Sequence, residues 1–242
     1  LGPDKKRLSK RHGATSVTEY ERQGFLPEAM VNFLALLGWS PGDDRELFTR
    51  DELIAAFALE GISGGNAVFN PEKLEWFNNQ HIMRLPAETL ADRVEPLLRA
   101  AGPWDEAFAG ARRAWLLSVI ELLKPRAHRL QDFVAQAQPL VSDAIEYDAA
   151  AVGKHLSPAG TRAHLEALRA ALAGLPAFDA ASIEPAVRGL AEARGVKAGT
   201  LIHAARVSVT GRTVSPGIFE VLELLGRERV LARLDRAMAM AG

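Results

Sequence analysis

The sequence contains no cysteine. Disulfides, cysteine-rich zinc sites, thiolate nucleophiles and iron–sulfur clusters are therefore excluded, and stability must come from packing. No apolar run approaches the roughly 18 residues that a membrane-crossing helix needs. The basic start is not followed by the apolar stretch and small-residue cleavage pattern of an export signal, so a cytoplasmic location is expected. An excess of one charge is missing too: 29 lysines and arginines against 30 acids give a formal net charge of −1. A nucleic-acid partner would have to be held by local basic faces, since the field of the whole molecule does not advertise one. No segment alternates apolar and polar residues over six or more positions in the manner of a half-buried strand. No fixed-period repeat and no low-complexity tract occurs. His155 and His164 lie beside no acidic cluster with ligand spacing. They read as ordinary histidines, and no metal site is expected.

What is present is helical patterning. The 242 residues, 48% apolar and 24% charged, are enough for two or three compact domains. Met30, Phe33, Leu34 and Leu37 form one stripe at i, i+3, i+4 and i+7, with Pro27 in the first turn and Gly38 past the end. Thr49-x-x-Glu52 is a capping box that opens a second helix with Leu53, Ile54 and Phe57 on one face. Asn70-Pro71 opens a third, which carries Leu74, Trp76 and Phe77. Further helices are expected over 86–101, with Gly102-Pro103 as the stop, and over 104–123, ending at Pro125. Two more run from a Ser157-Pro158 cap to Gly174 and from Ser182 to Gly195. Residues 131–152, which include Pro139 and Tyr147, read as a joint between two helical units. Phe25, Phe33, Trp39, Phe69, Trp76 and Phe77 read as core residues. The fold class is all-α.

Three features point to phosphates or RNA. Between Lys5 and Arg11 five of seven side chains are cationic. Such a loop could neutralise a triphosphate as its charge rearranges, although a solvated basic tail or a nucleic-acid patch has the same composition. Between residues 111 and 130 five cations (Arg112, Arg113, Lys124, Arg126, Arg129) face one acid, Glu121, a candidate RNA face. Lys73 and the polar run Asn78-Asn79-Gln80-His81 are candidates for holding phosphates and riboses, since amides and cations at helix ends can do so.

The order of the residues carries a resemblance. Arg7-Leu8-Ser9-Lys10-Arg11-His-Gly-Ala resembles the K-M-S-K-S signature of class I aminoacyl-tRNA synthetases in its glutamyl form, K-L-S-K-R-H-G-A. Gly24-Phe-Leu-Pro-Glu-Ala-Met-Val-Asn-Phe-Leu-Ala-Leu-Leu-Gly-Trp39 and Ala67-Val-Phe-Asn-Pro-Glu-Lys-Leu-Glu-Trp76 are similar to later segments of the glutamyl-tRNA synthetase family. So are Lys124-Pro-Arg-Ala-His-Arg-Leu130, Lys197-Ala-Gly-Thr-Leu-Ile-His-Ala-Ala-Arg-Val-Ser-Val-Thr-Gly211, Ser215-Pro-Gly-Ile-Phe-Glu220 and Leu224-Leu-Gly-Arg-Glu-Arg-Val230. The resemblance spans the whole chain. Arg7 stands where the family usually has lysine, a planar fork in place of a flexible point charge.

The resemblance implies a helical stem-contact domain over 1–101 and two helical anticodon-binding domains over 102–152 and 153–242. It implies that Lys10 stabilises the ATP phosphates during glutamate activation, with Arg7, Ser9 and Arg11 also at the ATP, and that Lys73, Arg126, Arg206, Ser215 and Pro216 bind tRNA. For Arg206 a buried structural role is the competing reading. Partners of the complete enzyme would be ATP with Mg2+, L-glutamate and glutamate tRNA, with glutamine tRNA left open; no membrane partner is expected, and a monomer is. No strand, glycine-rich loop and helix unit for a nucleotide occurs in these residues, and they begin at Leu1. They read as the C-terminal portion of a glutamate-tRNA ligase, binding no cofactor and inactive alone; the alternative is a stand-alone tRNA-binding module without catalysis.

Overall fold

The computed structural model describes residues 1–2, 6, 16–65, 67–102 and 104–242. Among the described residues there is no strand, only an isolated antiparallel bridge between Trp39 and Ile62, so the all-α expectation holds. The backbone divides into two units: residues 1–100 with 123–135, and residues 101–122 with 136–242.

The first unit contains α1 (Val17–Arg22), α2 (Pro27–Ala35), α3 (Arg50–Ala56), α4 (Pro71–Arg84) and nearly all of α5 (Ala87–Ala101). Its helix starts follow local chemistry. Pro27 and Pro71 sit in the first turns of α2 and α4. The Thr49 hydroxyl accepts from the Glu52 amide at 3.2 Å while the Glu52 carboxylate accepts from the Thr49 amide at 2.6 Å, a complete capping box. Asn70 Oδ1 accepts from the Glu72 and Lys73 amides at 2.9 and 3.2 Å. Phe25, Met30, Phe33, Leu74 and Phe77 form one core cluster, and Trp39, Phe48 and Leu53 form another.

Four apolar expectations fail here. The inward stripe of α4 is Leu74, Phe77, Asn78, His81 and Ile82, and Trp76 falls off it, 41% exposed. Leu34 is exposed on α2. α3 buries only Leu53, so Ile54 points outward. The helix ends at Ala56, and Phe57, in extended backbone, lies partly exposed with its ring 5.8 Å from that of Trp39.

The second unit contains most of α6 (Arg113–Leu123), the end of α7 (Leu130–Val141), and α8 (Ala149–His155), α9 (Thr161–Ala173), α10 (Ala180–Ala193), α11 (Ala198–Thr210), α12 (Ile218–Leu225) and α13 (Arg227–Met238). α11 packs against α8, α9, α10, α12 and α13. Its buried residues include Ala204, Ala205 and Ser208, small side chains that let the surrounding backbones come close. Two caps are displaced from their expected places. α9 starts at Thr161 behind Gly160, and the Ser157 hydroxyl instead donates to the Val152 carbonyl of α8 at 3.3 Å. α10 is capped by Asp179, which accepts from the Ser182 amide at 2.7 Å.

The expected joint is tied down from both sides. Arg233 of α13, 3% exposed, donates to the carbonyls of Pro139 (2.7 Å), Ser142 (2.6 Å) and Val209 (2.6 Å). One guanidinium thus collects the carbonyl ends of α7 and α11, where a cation complements both helix dipoles. Burial, with Arg229 beside it, brings its pKa down to about 10, so it stays charged at neutral pH. Arg229 adds bonds to Leu140 and Ser142 carbonyls at 2.8 and 2.9 Å. On the other side, the Tyr147 hydroxyl donates to the Ser208 carbonyl at 3.0 Å, and the Asp148 amide to that of Gly211 at 2.9 Å.

Candidate nucleic-acid interface

Arg7, Ser9, Lys10 and Arg11 lie outside the described residues. What is described around them is the start of the chain: the Leu1 nitrogen donates to the Ala67 carbonyl at 2.7 Å, and the Leu1 carbonyl accepts from the Phe69 amide at 2.8 Å.

In the second unit, α11 ends at Gly211, whose φ of +74° turns the chain back so that Ser215 meets the helix one turn before its end. Arg206, half-buried, donates from Nε to the Ser215 hydroxyl at 3.0 Å, and that hydroxyl donates on to the Pro216 carbonyl at 2.9 Å. Three residues expected at the tRNA are thus brought together by direct bonds. The structure adds two that sequence reasoning set aside or passed over. Arg206 Nη1 lies 3.1 Å from His203 Nδ1. A guanidinium can only donate, so Nδ1 of His203 accepts and its ring is neutral there. The His203 ring in turn stacks on that of His155, centroids 4.9 Å apart and planes at 23°. Burial lowers the His155 pKa, and His203, Lys154 and Arg206 add to the effect. His203 stands three residues before Arg206, one helical turn along the same face, and could have been found from that spacing. His155 had no such signal, because it arrives from α8. A fixed guanidinium beside two planar rings offers donors and stacking faces suited to phosphates and unstacked bases.

The first unit treats its candidates differently. Lys73, in the first turn of α4, is exposed and ion-paired to Glu46. Arg126 is exposed in the 3-10 turn Lys124–Arg126. The contiguous run of cations is divided between the two units. Arg112 belongs to the second unit, where it lies 4.3 Å from the Trp115 ring and 3.4 Å from Asp105. Lys124 is buried, and Arg129 pairs with Glu75 over the ring of Phe25. The polar run is structural as well. Asn78, fully buried, accepts from the Leu26 amide at 2.7 Å and donates to the His128 carbonyl at 2.6 Å. Asn79 donates to the Ala127 carbonyl at 2.8 Å. Amides that were candidates for RNA instead hold the backbone that follows Arg126. Among the described residues no cluster of three or more potential ligands could hold a metal ion, and no helix is long and apolar enough to cross a membrane.

Comparison with known proteins bears on these residues as a group. The profile of the anticodon binding domain family matches residues 89–238, and that of the class I tRNA synthetase (E and Q) catalytic domain matches residues 1–76. The glutamate–tRNA ligase of Desulforudis audaxviator is 42% identical over 244 residues, covering 100% of this chain and 49% of that protein. Glutamate–tRNA ligase 2 of Koribacter versatilis is 45% identical over 238 residues, covering 98% and 49%. The crystal structure of a glutamate tRNA ligase from Elizabethkingia meningosepticum, in complex with its amino acid, superposes with a TM-score of 0.86 at 28% identity, covering 100% of this chain and 50% of that one. The chain spans about half the length of the relatives it matches. With one profile covering well over half of its residues, the chain belongs to the anticodon binding domain family and is homologous to glutamate–tRNA ligases.

Proposed function

We propose that this chain is the tRNA-binding portion of a glutamate–tRNA ligase, whose complete form activates glutamate with ATP and Mg2+ and transfers it to glutamate tRNA in the cytoplasm. Arg206, Ser215 and Pro216 form the RNA contact of the second unit, and Lys73 and Arg126 contribute phosphate contacts from the first. The division into a stem-contact part (1–101) and two anticodon-binding parts (102–152 and 153–242) belongs to this reading, as do a monomeric state and the roles of Lys10, Arg7, Ser9 and Arg11 at the ATP. Acceptance of glutamine tRNA would be decided within the same contact. The observation that carries the reading is the Arg206–Ser215 hydrogen bond at 3.0 Å. It presents a guanidinium at the end of α11 in a fixed orientation, as base or phosphate recognition requires.

Arg206→Ala tests it. Loss of one such contact should weaken binding of glutamate tRNA about tenfold while the melting temperature stays nearly constant, because Arg206 is only half-buried. A large drop in melting temperature with unchanged RNA affinity would assign Arg206 to the packing of α11 instead.

A further inference from the structure

We propose that His203 is a positioning residue for Arg206: its neutral imidazole, braced by stacking on His155, accepts from Nη1 and aims the guanidinium along the line set by Ser215. The inference rests on the reading of Arg206 as an RNA contact. The geometry carries it. Arg206 is held at Nε by Ser215 (3.0 Å) and at Nη1 by His203 (3.1 Å), and anchors on two different nitrogens define the plane of a guanidinium. His203 itself is exposed, and an exposed ring on its own is a poor anchor. Its stack on His155, carried by α8, which packs against α11, restricts that freedom.

The arrangement works in one protonation state. A proton on Nδ1 of His203 removes the acceptor and sets a cation against Arg206, and a second proton on His155 would stack cation on cation. Burial and the groups around His155 oppose its charging. Lys154 and His155 of α8 and Arg206 of α11 are all cationic or able to become so. The acid that follows the Ser215-Pro216 turn, Glu220 of α12, folds back against Gly217. On the remaining helices around α11, Arg162 pairs with Glu166 and Arg169 with Asp235 from α9 and α13, Arg188 pairs with Glu184 on α10, and Arg194 bonds His164. Acid pH should therefore loosen the guanidinium. Simple electrostatics predicts the opposite sign, since extra positive charge ordinarily tightens binding to RNA.

The test uses the 242-residue chain, glutamate tRNA and one fixed salt concentration, with affinity measured at about pH 8 and about pH 5.5, on either side of the imidazole range. At the higher pH His203→Ala should weaken binding roughly 3–10-fold, the scale of one lost hydrogen bond. His203→Asn places an acceptor oxygen near Nδ1 and should keep wild-type affinity, whereas His203→Gln, whose amide reaches past that point, should behave as the alanine variant does. On acidification the wild type should lose affinity relative to His203→Asn. In an Arg206→Ala background, removing His203 should change nothing further. Three results would overturn the proposal: equal losses for Asn and Ala, a full His203 effect in the absence of Arg206, or a wild type that gains on His203→Asn at acid pH. If Arg206→Ala alone leaves affinity unchanged, the RNA contact fails and the positioning role falls with it; a loss there with no effect at His203 removes the positioning role alone.

Discussion

The fully buried Asn32 shows how much one side chain can settle. Its Oδ1 accepts from the Phe48 amide at 2.9 Å and from His81 Nε2 at 3.0 Å, while its Nδ2 donates to the Glu46 carbonyl at 2.9 Å. His81 must donate from Nε2, which fixes its tautomer. Burial lowers the His81 pKa, against an opposing pull from Glu28 and with help from Arg84. The sign of the consequence follows. The unfolded chain takes up a proton near the ordinary histidine value of about 6.5, the folded one only at lower pH, so stability is lost as pH falls below about 6.5. The melting temperature should drop between about pH 7 and about pH 5.5 by more in the wild type than in His81→Gln, which can keep the donor and does not titrate. Equal drops would place the acid sensitivity elsewhere. At this scale the sequence was readable where burial alone decides, as for Phe25, Phe33 and Phe77. It was not readable at Asn78: an amide in a helix announces that it needs partners, but Gly24 and His128, 54 and 50 residues away, are supplied by the fold.

Helix boundaries were legible where the cap is self-contained. The Thr49–Glu52 box and the Asn70-Pro71 start use residues within three positions of one another, and both formed as their chemistry demands. Ser157 and Ser182 were misread because a serine has several backbone groups within reach: the end of α8 engaged the first, and Asp179 had the stronger acceptor for the cap of the second. Glycines make the point quantitatively. At Gly211 the backbone is left-handed, φ +74°, and a Cβ would stand 1.9 Å from the Glu146 carbonyl oxygen. Gly211→Ala should cost at least the roughly 1–2 kcal/mol of that conformation and push residues 146–148 off the end of α11. Gly189, inside α10 with nothing within 4 Å of its would-be Cβ, should respond to the same change with a gain of about 0.5–1 kcal/mol. Urea unfolding of the two variants checks both, and matching signs would refute the distinction.

For the molecule as a whole, a net charge of −1 gives no long-range attraction for RNA, so binding must rest on a few local contacts. If Lys73, Arg126 and Arg206 each neutralise one phosphate, the slope of log affinity against log salt should be about −2 to −3, at 0.7–0.9 per contact. Arg206→Ala should make it shallower by about 0.7. Titrations with glutamate tRNA across a salt series read this directly, and a slope unchanged by the substitution would remove Arg206 from the phosphate contacts. The helical class was plain from spacing alone. The allocation of residues 123–135 to the first unit was not, because it is decided by bonds from Asn78, Asn79 and Gln131 that no linear pattern displays.

That allocation also sets an order of events at the ribosome. A chain is made from its N-terminus, and the first hundred residues leave the ribosome before residues 123–135 do. During that interval Asn78 and Asn79 have no His128 or Ala127 carbonyl to bind, the Gly24 carbonyl lacks the Leu130 amide, and the Arg22 carbonyl lacks Gln131. Buried amides without partners are costly, so the first unit emerges incomplete. It closes only after translation has passed through residues 101–122, which belong to the other unit. A nascent chain stalled with residue 101 just clear of the exit would therefore display an unfinished, chaperone-accessible surface along α4, and one stalled beyond the exit of residue 135 would not.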